Sequence, residues 1–220
     1  MVELEHVILI FDYYDGEVPS IPTNKPIYFF ASHGHFDHCS ELMFEIGKNN
    51  RRTFIFAKDI RITPPESDVK ITVEENQKYQ VDDMNITTFH SNDLGVAFLI
   101  EVEGKVIYHA GDLNWWHWEG EDPNINRRME VEYKDTIQLL KSHHKKIDVA
   151  FLPMDQRLEL AYDYGIKYFM QEINVENVIP MHFFSENFDI CQKVLDENNG
   201  FAEYNVNYIK VKQLQQVFMI

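Results

Sequence analysis

The sequence predicts an α/β protein in which β-sheets and helices are stacked in layers. Predicted strands come in consecutive runs and then alternate with helices, and no internal repeat or linker divides residues 1–220. Apolar residues make up 45% of the chain, which is enough for a sizeable core. We therefore expect a single domain with several structural layers.

Apolar runs bounded by Gly, Pro and Asn predict the individual elements. The expected strands are 6–12, 27–31, 53–57, 69–73, 78–81, 84–89, 95–103, 105–109, 148–152, 178–181 and strand material over 208–220. Strands 69–73 to 84–89 are expected to form an antiparallel run, and 95–109 a hairpin. The expected helices are one capped by Ser40 and ending near Gly47, then 125–144, 160–173 and 186–197. Residues 113–124, LNWWHWEGEDPN, are expected to form an exposed loop.

Composition excludes several classes of protein. No stretch of about 18 apolar residues is present, as a membrane span would need, and the N-terminus lacks the features of a signal peptide. The only cysteines are Cys39 and Cys191, which fits a reducing cytoplasm. A formal net charge of −16 disfavours nucleic-acid partners, because phosphates are bound by Lys and Arg. These features predict a cytoplasmic protein that acts on small molecules.

The stretch SHGHFDH, residues 32–38, concentrates side chains that coordinate metals. His33 and His35 stand two apart, so on an extended backbone they project the same way. Asp37 and His38 follow at once, and a turn would direct them to a second point nearby. Imidazole with carboxylate suits zinc, iron or manganese, and a carboxylate can bridge two ions. The alternative is a polar loop whose histidines cap a helix.

Three further candidate ligands follow predicted strands. His90, Asp112 and His182 each come just after a strand, where loops from neighbouring strands meet at one sheet edge. His109 lies inside a predicted strand and is expected to pack or to support the ligands. Together with the SHGHFDH motif, these positions predict a metal site with more than four ligands.

Here the chain resembles the metallo-β-lactamase fold hydrolases. SHGHFDH matches the HxHxDH signature of that superfamily, and TTFHSNDLGVAFLIEVEGKVIYHAGD, IDVAFLP and VIPMHFF are similar to its later blocks, in the same order. The resemblance runs from about Ile8 to Phe184 and is strongest to the small group that includes the L-ascorbate 6-phosphate lactonase type. It implies a four-layer αββα sandwich of two mixed β-sheets flanked by helices.

The resemblance also implies two divalent metal ions, zinc in the first place, with manganese or iron(II) as alternatives. The implied ligands are His33, His35 and His90 for one ion, Asp37, His38 and His182 for the other, and Asp112 as the bridge. Asp37 and Asp112 are the expected catalytic residues, and Asp37 would orient the attacking water and accept its proton. The implied reaction is attack by a metal-held hydroxide on an ester, lactone or phosphodiester bond of a small molecule.

Two departures from the family's pattern carry further expectations. The first predicted strand starts a few residues after Met1, so we expect either that the usual first hairpin is missing or that a neighbouring chain covers the exposed sheet edge. A bare sheet edge is an aggregation hazard, so we predict a homodimer. After Asp112 comes LNWWHW, whose tryptophans, Trp115 and Trp116 among them, would either line a substrate wall or pack on the core. His117 would either act as a general acid or substrate hydrogen bonder, or lie at the surface.

Arg157 follows the strand 148–152 and is the best candidate for holding a substrate anion. The alternative for Arg157 is a salt bridge to neighbouring acids. Two other functions remain open. One is a diiron oxidoreductase on the same fold, which usually has Glu at the position of His35 and an attached flavin domain. The other is a metal-binding sensor or interaction protein without turnover.

Overall fold

Two mixed β-sheets form the centre of the computed structural model, which describes residues 1–143, 146–183, 188–213 and 215–219. The first sheet has the spatial order of its strands in the chain, β1 Val2–Glu3, β2 Ile8–Phe11, β3 Ile27–Ala31, β4 Arg52–Ala57 and β5 Val69–Val73. The second sheet has the order β12-β11-β10-β9-β8-β7-β6. Its strands are β6 Lys78–Val81, β7 Met84–His90, β8 Val96–Val102, β9 Lys105–His109, β10 Ile147–Pro153, β11 Val175–Met181 and β12 Asn207–Tyr208.

Aromatic side chains join the two sheets face to face. Phe30 on β3 contacts Phe98 on β8, with ring centroids 5.2 Å apart. On the outer face of the first sheet, Phe54 stacks on Phe29 at 4.6 Å and meets Phe44 edge-on at 5.3 Å. All residues of β3 are buried, as expected for a strand covered on both faces.

The long helices cover the outer face of the second sheet. They are α1 Pro123–His143, α2 Tyr164–Glu172 and α3 Asp189–Asn198. Tyr133, Ile137 and Leu140 of α1 are buried at helical spacing against this sheet. Within the described ranges, no helix has both the length and the apolar character that crossing a membrane requires.

Strand direction brings the predicted metal ligands to one edge. Strands β2 to β5 run parallel to one another, and so do β9 to β12. Strand β7 is antiparallel to β8, which is antiparallel to β9, so β7 and β9 point the same way. The carboxyl ends of β3, β9 and β11 therefore deliver the motif 32–38, Asp112 and His182 to neighbouring positions.

Several predicted elements need correction. Strand β5 pairs in parallel with β4 in the first sheet and is not part of the antiparallel run. The Ser40-capped segment is a single 3₁₀ helix, Glu41–Glu45, with Ser40 Oγ accepting a hydrogen bond from the Leu42 N–H. Beyond β12, the described residues up to 219 contain no further strand. The helix predicted over 186–197 begins at Asp189, and residues 186 and 187 lie outside the described ranges.

The N-terminal edge of the first sheet is not bare. Val2 and Glu3 form β1, pair antiparallel with Leu9 and Ile8, and so make a short hairpin. The expectation that the first hairpin is missing is therefore wrong, although the hairpin is short. The homodimer stays a prediction, and a monodisperse monomer by light scattering would contradict it.

Candidate metal centre

The carboxylate of Asp112 lies at the centre of the predicted ligands. Its Oδ2 is 3.4 Å from Nε2 of His33, and its Oδ1 is 3.2 Å from Nε2 of His38 and 3.4 Å from Nε2 of His182. Zinc ligands about 2.0–2.2 Å from a tetrahedral ion are about 3.3–3.6 Å apart, so these separations are close to those of ligands sharing an ion. The buried Oδ1 accepts no hydrogen bond from the described residues. The donor set thus fits a divalent cation.

A second group of ligand atoms lies on the open side of the same carboxylate. One ligand atom each from His35, Asp93 and Asp112 lies within 4.8 Å of the others. Nδ1 of His35 is also 2.9 Å from Nε2 of His33. Asp93 was not predicted as a ligand, and its only sequence signal is a carboxylate three residues after β7.

Three predicted ligands belong to neither cluster of ligand atoms in the described chain, although one of them, His182, faces Asp112 Oδ1 at 3.4 Å. His90 ends β7, is half-exposed, and its Nδ1 lies 2.5 Å from Glu75 Oε2. Neither cluster of ligand atoms in the described chain contains His90. Asp37 is exposed and lines the cleft beside His38, but it also belongs to neither cluster.

Asp93 and His90 can be separated by mutation. We expect Asp93→Asn to weaken binding of one ion by about 10-fold to 100-fold, since its carboxylate lies with His35 and Asp112. His90→Ala should have the smaller effect, because neither ring nitrogen of His90 belongs to a cluster of ligand atoms among the described residues. Metal titration with competition by a chelator measures both constants. A larger loss in His90→Ala would show that His90 turns toward the metal when it binds.

Asp12 orients the motif from behind. It follows β2 and accepts hydrogen bonds from the Ser32 N–H at 2.7 Å and from the Ser32 hydroxyl at 2.7 Å. Nδ1 of His38 donates to Asp12 Oδ2 at 3.0 Å, which leaves Nε2 free to face Asp112. Sequence reasoning missed Asp12, although an acid at the end of a buried strand was a usable signal.

Asp155 supports His182 in the same way. Its side chain is fully buried, and Oδ2 lies 3.2 Å from Nδ1 of His182. Asp155 also binds Arg157 through the backbone N–H at 2.8 Å and through the guanidinium. The salt bridge predicted as the alternative role of Arg157 is therefore present, while its side chain also lines the cleft.

Strained and close-packed backbone holds the ligand loops in place. His182 and Asp12 have φ of 67° and 43°, a region that costs a non-glycine residue about 1–2 kcal/mol. Gly95 approaches the motif so closely that a Cβ there would lie 1.9 Å from the Ser32 carbonyl oxygen. Gly111 likewise has φ of 55°, and its Cβ would lie 2.7 Å from Cβ of Ser32.

The acids of the centre perturb its histidines. Burial opposes the charged form of His182, yet contact with Asp112 and Asp155 raises its pKa to about 10. Burial would raise the pKa of Asp155, but contact with His182 and Arg157 lowers it to about 2. Burial lowers the pKa of His33. His182 is consequently protonated at neutral pH unless a cation displaces the proton.

Residues 115–118 alternate between the cleft and the helices. Trp116 and Trp118 line the cleft, stack at 6.0 Å, and Trp116 donates its Nε1–H to the Asp112 carbonyl at 2.9 Å. Trp115 packs instead against Tyr164 at 5.4 Å, and His117 is also near that ring. Such alternation is typical of extended backbone. The structure thus brings Trp116 to the centre, but not Trp115 or His117, and the loop is not fully exposed as predicted.

Three comparisons relate the chain to known proteins, and no family model matches it. The UPF0173 metal-dependent hydrolase of Enterococcus faecalis is 24% identical over 183 residues, 74% of this chain and 70% of that protein. Igni18, a novel metallo hydrolase from Ignicoccus hospitalis, has a TM-score of 0.53 at 16% identity, covering 88% of this chain and 79% of its own. YhfI from Bacillus subtilis, a metallo-β-lactamase fold protein, has a TM-score of 0.46 at 10% identity, covering 84% and 75%.

The sheet topology and the likeness to Igni18 define a protein of the metallo-β-lactamase fold, and the predicted fold class is confirmed. The chain is similar in sequence to a metal-dependent hydrolase and in fold to a metallo hydrolase. Its placement in the ascorbate-phosphate lactonase group stays a prediction.

Proposed function

We propose that the protein is a dinuclear metal-dependent hydrolase that cleaves an ester or lactone bond of a small molecule. The observation that carries this proposal is the geometry of Asp112. Its buried Oδ1 faces His38 and His182, whereas Oδ2 faces His33. Because the two carboxylate oxygens face different histidines, each oxygen can bind a different metal ion.

Under this proposal the ligands form two metal-binding positions. His38, His182 and Asp112 Oδ1 would hold one ion, and His33, His35, Asp93 and Asp112 Oδ2 the other. Two divalent ions, with zinc as the first candidate, would supply an activated water and polarise the oxygen of the scissile bond.

The protein's own groups then orient the reactants. Asp37 is exposed in the cleft next to His38, where its carboxylate can accept a proton from water. Asp12 and Asp155 fix the ring orientations of His38 and His182. The buried Trp116 packs beside Asp112 and excludes water from that side of the carboxylate.

Metal analysis of the purified protein, followed by a hydrolysis screen, tests the proposal. We expect about two divalent ions per chain, and turnover of esters or lactones that a chelator removes and added metal restores. Lactones, esters and phosphodiesters should be compared at equal concentration. Iron with a redox signal and no hydrolysis would favour the oxidoreductase, and metal without any turnover would favour the sensor.

Metal binding should release protons. Since contact with Asp112 and Asp155 raises the pKa of His182 to about 10, an ion must displace its proton at pH 7. The observed affinity is expected to rise with pH by roughly tenfold per unit for each displaced proton, up to that pKa. Calorimetry in buffers of different ionisation enthalpy counts the protons.

Proton release on metal binding can also be compared between the wild type and Asp155→Asn. Loss of this carboxylate lowers the pKa of His182, so fewer protons should be released at pH 7. Glu172→Gln is the matched control, because that carboxylate pairs with Lys141 at the surface. Equal proton release in Asp155→Asn and in the control would contradict the expected protonation of His182.

A further inference from the structure

The cleft beside the predicted metal ligands is lined by two chemically different sets of side chains. It has a volume of about 790 Å³ and opens next to Asp112, His38 and His182. Its lining includes the acids Asp12, Asp37, Asp93 and Asp112 and the apolar residues Phe36, Trp116, Trp118 and Met129. These two sets of side chains indicate what kind of chemical group the substrate carries next to the bond that is cleaved. The inference rests on the proposed hydrolase function.

The cleft offers little to an anionic group. Arg157 is the one Lys or Arg side chain among the described residues that line it, and its guanidinium is bound to Asp155. Asp37 also lines the cleft and adds negative charge. Phosphate sites in proteins are usually built from Arg, Lys or helix N-termini aimed at the ligand. Beyond the bound metals, a phosphorylated substrate would therefore find only a guanidinium already held by a carboxylate and the α-amine of Met1, whose pKa is lowered by burial.

The apolar walls offer far more contact. Phe36 stands between two predicted ligands, lines the cleft, and is 83% exposed. The rings of Trp116 and Trp118 also line the cleft and are stacked nearly parallel, with an interplanar angle of 8°. Met129 packs with this tryptophan pair and lines the cleft as well. An exposed ring at a reaction centre gains free energy when a ligand covers it.

We propose that the substrate is an uncharged ester or lactone with an apolar group, which lies between Phe36 and the Trp116–Trp118 pair. The apolar group can be an alkyl chain or an aromatic ring, since both bury carbon against these rings. The phosphorylated sugar lactone implied by the subgroup resemblance does not fit these walls.

The test compares matched substrates on the metal-loaded full chain. Values of kcat/KM are measured for γ-butyrolactone and γ-decalactone, for p-nitrophenyl acetate, hexanoate and benzoate, and for a phosphorylated sugar lactone. We expect the apolar members to be better substrates by roughly 10-fold to 100-fold, the gain from burying one large side chain. Hexanoate against benzoate distinguishes a chain from a ring.

Variants locate the effect. Phe36→Ala and Trp118→Ala are expected to remove most of the preference for the apolar substrate, mainly through KM. Leu160→Ala is the matched control, because Leu160 is 81% exposed and lies outside the cleft lining. It should leave the preference unchanged. The placement of the apolar group beside Phe36 would be overturned if Leu160→Ala lost the preference for apolar substrates and Phe36→Ala kept it.

Binding of an inert amide separates this inference from the proposed function. N-Octylacetamide should quench tryptophan fluorescence at lower concentration than N-methylacetamide in the wild type, and the difference should shrink in Phe36→Ala. If no ester or lactone is hydrolysed, the proposed function fails. The comparison of amide binding then tests by itself whether the cleft binds an apolar group. Hydrolysis with equal kcat/KM for short and apolar substrates, or faster turnover of the phosphorylated lactone, overturns the inference and leaves the function standing.

Discussion

Asp112→Ala is expected to lose bound metal and at least about a thousandfold in kcat/KM, because several kcal/mol of charge stabilisation depend on the ions. The carboxylate lies 3.2–3.4 Å from three histidines that are proposed ligands, so its removal should disturb both proposed metal positions together. Metal content per chain and steady-state kinetics on any ester or lactone found measure the two effects.

Asp112→Asn refines that experiment without leaving a cavity. Asparagine keeps one oxygen acceptor and replaces the other with an amide that cannot bind a cation. We expect about one ion per chain to be retained, with activity still greatly reduced. Circular dichroism of both variants checks that the fold is intact. Two ions per chain and wild-type turnover in Asp112→Asn would show that the carboxylate does not bridge.

The position of the predicted metal motif in the fold could be read from the sequence, because it depends on local structure. His33, His35 and His38 follow a buried strand directly, and the strand ends where the sheet presents its ligands. Nothing more than the direction of β3 was needed to place them. Asp112 and His182 were predictable for the same reason, since each follows a parallel strand of the second sheet.

Longer-range contacts could not be predicted in this way. Glu75, in the turn between β5 of the first sheet and β6 of the second, binds Nδ1 of His90, a contact between positions 15 residues apart. The support of His38 by Asp12 links positions 26 residues apart. Sequence spacing contains no information on such pairs until the strand order is known.

The loop after Asp112 shows a similar limit. Its lack of a helical period suggested exposure, but extended backbone alternates its side chains, so Trp116 turns inward while Trp115 packs on the helices. Which of the tryptophans faces the cleft depends on the phase of that alternation. The Trp116 Nε1–H bond to the Asp112 carbonyl sets the phase, and that contact is visible only in the structure.

Gly95→Ala is expected to destabilise the fold by about 3 kcal/mol or more, a size that is reached when backbone is displaced. The new Cβ would lie 1.9 Å from the Ser32 carbonyl oxygen and 2.6 Å from Cβ of His33. The same carbonyl accepts the Val96 N–H at 2.9 Å, so the two loops cannot separate without losing that bond. Urea unfolding measures the loss of free energy, and metal titration measures displacement of His33.

Gly104→Ala isolates the cause. Gly104 has φ of 71°, close to the 68° of Gly95, but a Cβ there would meet no atom within 4 Å. The left-handed backbone alone costs alanine about 1–2 kcal/mol, which is the loss expected for this control. The additional destabilisation in Gly95→Ala is then the free-energy cost of the contact with Ser32. We expect Gly95→Ala, but not Gly104→Ala, to bind metal more weakly. Equal destabilisation in the two variants would mean that the loop carrying Asp93 is not held against the metal motif, and that Asp93 is free to leave the ligand group.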